Sequence, residues 1–325
     1  MVKLCIVPPF PEEAVSWFND FEGVECVRNG PADAEIIMGQ PSVQTILSAP
    51  KLRWVQSTSA GVDGYAKHAE KLKHIMLTSA SGAFGISISE WTLALVLSLY
   101  KHLNLFRDNQ LARIWHDEGA QQSPRGKRLL TLGCGDIASS IARLFKAFGC
   151  TAAGIRRNAF AEKPDIYDEV YPMSALESEL SKADIVACAL PSTPETRGLL
   201  NERRLSRMKP GAVLVNVGRG DLIDQYALCR LLDAGKICGA ALDVTDPEPL
   251  DASHPLWQCK NCIITPHASG GSFGHLPVTT EIIVDICREN LARYLRGEPL
   301  KNRVDLKAGY RELEDRYGAG AECKG

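Results

Sequence analysis

The chain contains no apolar run long enough to cross a bilayer. Its strongest, WTLALVLSLY at 91–100, is about half of the roughly 20 residues a spanning helix needs and reads as a buried helix. Charge of one sign is not in excess either: 37 basic against 39 acidic residues give a net charge of −2, so neither a nucleic-acid nor a membrane partner is expected. The opening MVKLCIVPPF lacks the long apolar stretch and cleavage site of a secretion signal. Eleven cysteines are present, but without a disulfide framework, in a chain long enough to fold unaided. Reduced thiols and a cytoplasmic location follow as expectations. Cys259 and Cys262 form a CxxC pair with no second pair or histidine pair to complete a metal site. No metal is expected. Internal repeats and low-complexity segments are absent as well.

A length of 325 residues exceeds one ordinary core and predicts two domains. Short apolar runs alternate with helical patterns, as in a parallel sheet covered by helices. Four candidate strands occupy the first hundred residues: KLCIVP (3–8), EIIMG (35–39), RWVQST (53–58) and HIMLTSA (74–80). One long helix is expected from Ser87 to Arg113, followed by a polar linker, HDEGAQQSPRGK. From Lys127 come seven further runs, KRLLTLG, TAAGIR, EVYP, DIVACAL, AVLVNV, GAALDV and CIITPH. Rich in Val, Ile, Leu and Ala, they predict a doubly wound sheet buried on both faces. Residues 277–297 form an amphipathic helical pattern, and the polar tail after Lys301 reads as peripheral.

LTLGCGDIA at 130–138 is a GxGxx(G/A) turn in its required setting, strand before and helix after. Gly133 permits the tight turn, Gly135 lets backbone approach a pyrophosphate, and Ala138 permits close helix–strand packing. The free N–H groups of the following helix favour phosphate. Asp136 sits awkwardly, a carboxylate where phosphate belongs, and is expected to cap the helix while pointing away. About twenty residues on, GIRRN (154–158) places Arg156 and Arg157 where such units carry an acid for the ribose hydroxyls. Two guanidinium forks there favour the 2′-phosphate of NADP(H), with NAD(H) remaining possible.

Three later loops follow strands. VNVGRGDLID puts Arg219 after one, ALDVTDPEPL puts Glu248 after the next, and ITPHASGG puts His267 after the last. An arginine fork can hold a carboxylate, a histidine can exchange a proton with a carbonyl or alcohol oxygen, and a carboxylate behind it fixes the tautomer. Each residue alone can equally be a surface arginine, a solvated acid or a cap. Their occurrence at three consecutive strand ends favours a hydride-transfer site.

These motifs resemble the D-isomer-specific 2-hydroxyacid dehydrogenase family, from about Lys51 to Asn302. The resemblance implies two parallel-sheet α/β domains, Rossmann-like and flavodoxin-like, with the cofactor domain (101–270) inserted into a substrate domain (1–100 and 271–325). It implies Arg219, Glu248 and His267 as catalytic residues, and backbone N–H groups of Ser59, Ala60, Gly61 and Val62 as holders of the substrate carboxylate. Cofactor contacts are implied at Gly133, Gly135, Asp136, Ile137, Arg156, Arg157, Leu190, Pro191, Thr196, Val217, Gly218, Asp243, His267, Ser269 and Gly270. Asp243 is the implied partner of the nicotinamide carboxamide, and Leu190 to Leu200 the adenine-side loop. A homodimer joined through the cofactor domain is implied too. The expected activity is NADPH-dependent reduction of a small 2-oxoacid such as glyoxylate or hydroxypyruvate. A phosphorylated or bulkier 2-oxoacid, to be decided near Ala83, Phe84 and Trp115, or non-catalytic dinucleotide sensing, are the alternatives.

Overall fold

The computed structural model describes residues 1–28, 30–158 and 162–311; most of the expected tail, 312–325, lies outside them. The chain divides into two compact units, Met1–Ser81 with Ile282–Gly325, and Gly82–Glu281.

In the first unit five parallel strands, β1 (Val2–Ile6), β2 (Val24–Val27), β3 (Ile36–Gly39), β4 (Trp54–Ser57) and β5 (Met76–Thr78), take the order β2-β1-β3-β4-β5. This is the flavodoxin-like arrangement. The four expected strands are present. β2, VECV, escapes the pattern because its glutamate is exposed at the sheet edge and no residue of it is fully buried.

The second unit holds all seven expected strands: β6 (Arg128–Leu132), β7 (Thr151–Arg156), β8 (Glu169–Pro172), β9 (Ile185–Cys188), β10 (Val213–Asn216), β11 (Gly239–Leu242) and β12 (Cys262–Ile264). They run parallel in the order β12-β11-β10-β9-β6-β7-β8, the Rossmann order with a seventh strand. Both faces are buried, and the side-chain period of two shows why. Along β9, Val186 and Cys188 enter one core with Leu130, Leu132 and Leu214. Ile185 and Ala187 enter the other with Leu129, Val213 and Val215.

The helix expected over 87–113 is two, α1 (Gly85–Tyr100) and α2 (Leu103–Ala112). His102, between them, adopts φ 57° and bonds its Nε2 to Ala120 O at 3.0 Å. No Gly or Pro marks that break in the sequence. The division at Ser81 also differs from the expected boundary near residue 100. Leu93, Val96 and Leu99 of α1 share a core with Ile141, Phe145 and Val215, so α1 belongs to the second unit, as do residues 271–281. α3 (Asp136–Ala147) follows the glycine turn, α4 (Gln225–Asp233) follows β10, and α5 (Pro277–Leu295) stands where the sequence predicts it.

Inside the first unit a buried polar chain fixes β4. Trp54 Nε1 donates to Thr78 Oγ1 (2.8 Å), which donates to Gln56 Oε1 (2.7 Å). Asn290 Nδ2 donates to the same Gln56 oxygen (2.8 Å), and Asn290 Oδ1 accepts from Lys301 N (2.8 Å). Replacing Asn290 with Leu strands the Lys301 N–H and leaves Gln56 one donor short. Buried polar groups without partners cost roughly 1–3 kcal/mol. Asn290→Leu is therefore expected to lower the first unit's stability by about that amount, read by amide exchange over residues 54–57. Unchanged exchange there would show that the network does not hold β4.

Candidate functional site

The Rossmann order reverses between β6 and β9, and a ligand crevice forms beyond the carboxyl ends of strands at such a point. Gly133 follows β6 with φ 103°, and a Cβ added there would stand 3.2 Å from Ala189 O, beyond β9. Only glycine fits both conditions. A Cβ added at Gly135 meets no protein atom within 4 Å, so the space a phosphate needs beside that backbone is open. α3 begins there with Asp136, whose helix N-cap is Gly135 without a side-chain cap bond. Asp136 is thus the first helical residue and not the cap. Its Oδ2 is turned toward the start of α1, 3.3 Å from where a Cβ on Gly85 would stand. A carboxylate beside a helix N-terminus is favourable. These features fit a dinucleotide pyrophosphate.

Arg156 ends β7, half-buried, with Nη2 donating to Glu162 O at 2.9 Å. Its charge reaches the glycine turn: burial pushes the Cys134 thiol up to about 11, and Arg156 opposes that rise. Arg157 is exposed. The Thr193 hydroxyl and the residue's own backbone N–H, with a smaller contribution from the Arg157 charge, hold the Glu195 carboxyl below its ordinary range. In the loop at 190–196 Thr196 Oγ1 donates to Pro191 O (2.6 Å) and accepts from Thr193 N (2.8 Å), so its hydroxyl shapes the turn.

β10, β11 and β12 end in loops drawn together by close backbone contact. Val217 N extends the ladder to Cys188 O (3.0 Å). A Cβ on Gly218 would lie 2.7 Å from Leu190 O, and one on Gly220 would lie 2.0 Å from Thr245 C. The glycines flanking Arg219 thus let its loop touch both neighbouring loops. Asn216, which the sequence does not single out, clamps the same loop. Its Nδ2 donates to Arg219 O (2.9 Å) and its Oδ1 accepts from Gly218 N (3.1 Å). Arg219 is half-buried, with Nη1 on Gly218 O at 2.7 Å.

His267 Nδ1 lies 3.0 Å from Glu248 Oε2. A carboxylate accepts, so Nδ1 carries the hydrogen and Nε2 is left for other chemistry. Glu248 Oε1 accepts from Thr245 N at 3.2 Å. Both side chains are accessible, 53% and 41% exposed. His267 adopts φ 54°, and its N–H donates to Asp243 O (2.8 Å). The Asp243 carboxylate is buried and accepts four hydrogen bonds, from Thr265 Oγ1 (2.6 Å), Ala268 N (2.8 Å), Ser269 N (3.0 Å) and Ser269 Oγ (2.5 Å). It binds the loop that presents His267, a role its place in ALDV does not reveal. Ser87 of α1, also missed, donates to Ser269 O (2.6 Å), and Phe84 would lie 3.2 Å from a Cβ on Gly270. Ala83 is buried and Trp115 fully exposed.

In the first unit, the turn after β4 engages the Ser59 N–H with Ser57 Oγ at 3.1 Å. Among the described residues no hydrogen bond ends on the N–H of Ala60, Gly61 or Val62. Beside the turn is a hollow of about 370 Å³ lined by Gln40, Ser42, Ser57, Ser59, Val62, Tyr65 and smaller neighbours, without Lys or Arg. Elsewhere, among the described residues no group of three His, Cys, Asp or Glu is placed to hold a metal, and no helix is long and apolar enough to cross a membrane.

The family model for the D-isomer specific 2-hydroxyacid dehydrogenase NAD binding domain matches residues 93–269. A glyoxylate reductase of Aeropyrum pernix is 34% identical over 268 residues, 79% of this chain and 77% of that one. A D-3-phosphoglycerate dehydrogenase of Methanocaldococcus jannaschii is 30% identical over 331 aligned positions, 94% of this chain and 60% of that one. The crystal structure of a D-isomer specific 2-hydroxyacid dehydrogenase family protein from Aeromonas salmonicida superposes with a TM-score of 0.82 at 32% identity, covering 94% of this chain and 99% of that one. The glycine turn, Arg219, Glu248 and His267 fall within residues 93–269, and the chain belongs to the D-isomer-specific 2-hydroxyacid dehydrogenase family of nicotinamide-dinucleotide oxidoreductases.

Proposed function

We propose that the protein reduces a small, unphosphorylated 2-oxoacid of the glyoxylate or hydroxypyruvate type to the D-2-hydroxyacid, with NADPH preferred over NADH. The observation that carries the reading is the contact of His267 Nδ1 with Glu248 Oε2 at 3.0 Å. With Nδ1 committed to the carboxylate, the protonated ring has Nε2–H to give to a keto oxygen. The nicotinamide, when bound, supplies the hydride. Arg219 binds the substrate carboxylate through its planar fork and so orients the carbonyl. In the first unit, the N–H groups of Ala60, Gly61 and Val62 are proposed as a carboxylate-binding turn. Glu248 keeps the ring in one tautomer by accepting from Nδ1–H.

A small substrate is supported by the glyoxylate reductase named among the relatives. It is supported further by the hollow beside residues 59–62, whose lining is without Lys or Arg. A phosphorylated substrate calls for cations at its second anionic end. NADPH preference is supported by Arg156 at the end of β7 and Arg157 beside it. Each charged hydrogen bond to a phosphate contributes roughly 1.5–3 kcal/mol, about ten- to a hundredfold in affinity. A homodimer is proposed from the family resemblance.

His267→Ala is expected to lower kcat by about 10²–10⁴ while NADPH affinity stays near normal. Glu248→Gln is expected to be milder, because a neutral amide oxygen holds the Nδ1–H less firmly than the carboxylate does. Retention of most turnover by His267→Ala would remove the relay. Arg219→Lys keeps the charge and loses the fork, so KM for the oxoacid rises and kcat/KM falls. Equal activity on aldehydes lacking a carboxylate would dispense with the clamp. Arg156→Asp is expected to cost NADPH about ten- to a hundredfold in kcat/KM and to spare or improve NADH, with Arg157→Ala smaller in the same direction. The preference shrinks as salt rises. A kcat/KM ratio near one for the two cofactors in the native protein would defeat this part of the reading.

A further inference from the structure

Gln225 is the first residue of α4, six positions after Arg219, and its side chain is buried. It is not needed as the helix cap, because Asp224 Oδ1 already accepts from Ala227 N at 2.9 Å. Instead the Gln225 amide closes on one residue of the neighbouring loop. Nε2 donates to Asp246 O at 2.5 Å, and Oε1 accepts from Asp246 N at 3.4 Å. The same stretch of loop backbone is in contact with the Arg219 loop, since a Cβ on Gly220 would stand 2.0 Å from Thr245 C and 2.6 Å from Asp246 N. Two residues beyond Asp246 is Glu248, whose own contacts are Thr245 N at 3.2 Å and His267 Nδ1 at 3.0 Å. Asp246, Pro247, Glu248 and Pro249 are all exposed, so packing of their side chains does not fix where Glu248 points. The loop is held through its backbone, by the two-point bond from the buried Gln225 amide and by Thr245 Oγ1, which donates to Pro247 O at 2.9 Å.

We infer that Gln225 is a positioning residue: by clamping the Asp246 backbone it aims Glu248 at His267 Nδ1 and couples the arginine-bearing segment to the relay. The inference rests on the reading of Glu248 and His267 given above. It places a specific demand on a helix position that otherwise tolerates many residues. Removing the amide leaves the loop held by its contact with Gly220 and by Thr245, whose Oγ1 donates to Pro247 O at 2.9 Å, and the carboxylate then samples positions away from the ring. The neutral imidazole loses its preference for the Nδ1–H tautomer as a result.

The test uses the full chain and three variants, Gln225→Leu, Glu248→Gln and the two combined. The first measurement needs no cofactor. The ring ¹⁵N shifts of His267, identified by their loss in His267→Asn, report the tautomer at a pH where the ring is neutral. Gln225→Leu is expected to shift them toward a mixture with Nε2–H, as Glu248→Gln does, and the double variant is expected to match Glu248→Gln alone. The second measurement is turnover of a 2-oxoacid, where Gln225→Leu lowers kcat between about ten- and a hundredfold with little change in KM. Should Gln225→Leu not fold, Gln225→Glu keeps the acceptor for Asp246 N–H and loses the donor to Asp246 O, and the same readouts apply. Native ring shifts and kcat in a folded Gln225 variant, beside altered ones in Glu248→Gln, would overturn the role of Gln225 and leave the relay standing. Equal additional effects of Gln225→Leu with and without Glu248 would also overturn it, since the residue would then act by another route. If Glu248→Gln itself changes neither measurement, the relay reading fails first and the inference fails with it.

Discussion

Burying both faces of a parallel sheet leaves polar chemistry almost nowhere to stand except at the strand ends. In the second unit successive residues of β9 alternate between two apolar cores. The polar side chains that do occur near the sheet are drawn into local bonds. Thr131 donates to Gly133 O at 2.8 Å, Asn216 clamps the Arg219 loop, and Asp243 gathers four donors from the loop after β12. The site is built from what lies just beyond those ends. Its loops come within backbone contact of one another because Gly133, Gly218 and Gly220 present no Cβ. Glycine at these places answers a demand for proximity more than one for flexibility.

That demand explains what the sequence makes legible. Short runs rich in apolar residues reveal the inner strands of the second unit, because strands buried on both faces have no reason to alternate. The glycine turn is readable for the same reason, since its residues are dictated by contacts within a few positions along the chain. Edge strands carry a weaker signal: β8 is read despite its exposed glutamate, whereas β2, of the same kind, is not. Nor is the break at His102, where a left-handed residue that is not glycine ends α1. The roles of Asp243, Ser87, Asn216 and Gln225 are hidden for a different reason. Each rests on a hydrogen bond to backbone, some of them from far along the chain, as between Ser87 and Ser269. A backbone partner leaves no residue type to read.

The charges around the glycine turn show the same dependence on geometry. A carboxylate at Asp136 looks incompatible with a pyrophosphate when only spacing is considered. Turned toward the start of α1, it meets the positive end of a second helix, and α3's own N–H groups stay directed at the turn. Arg156 and Arg157 are adjacent in sequence but differ in surroundings. The first is half-buried at the end of β7, the second exposed. The unequal effects expected of their substitution come from that difference in burial, since screening by solvent and salt weakens the exposed charge more.

His267 and Glu248 are both accessible to solvent, and an exposed pair of this kind contributes roughly 0–1 kcal/mol to stability. Attraction between the two groups is therefore too weak to hold them in register. What holds them is buried elsewhere. Asp243 fixes the His267 loop through its carboxylate and its carbonyl, while Thr245, Gly220 and Gln225 fix the loop of Glu248. The proposed relay can stay open to water and substrate because its precision is supplied by backbone bonds under it. An arrangement of this kind separates two requirements that conflict at one residue: a proton donor needs access, and a positioned donor needs a rigid seat. Here the exposed side chains meet the first, and the buried amide, carboxylate and glycine contacts meet the second.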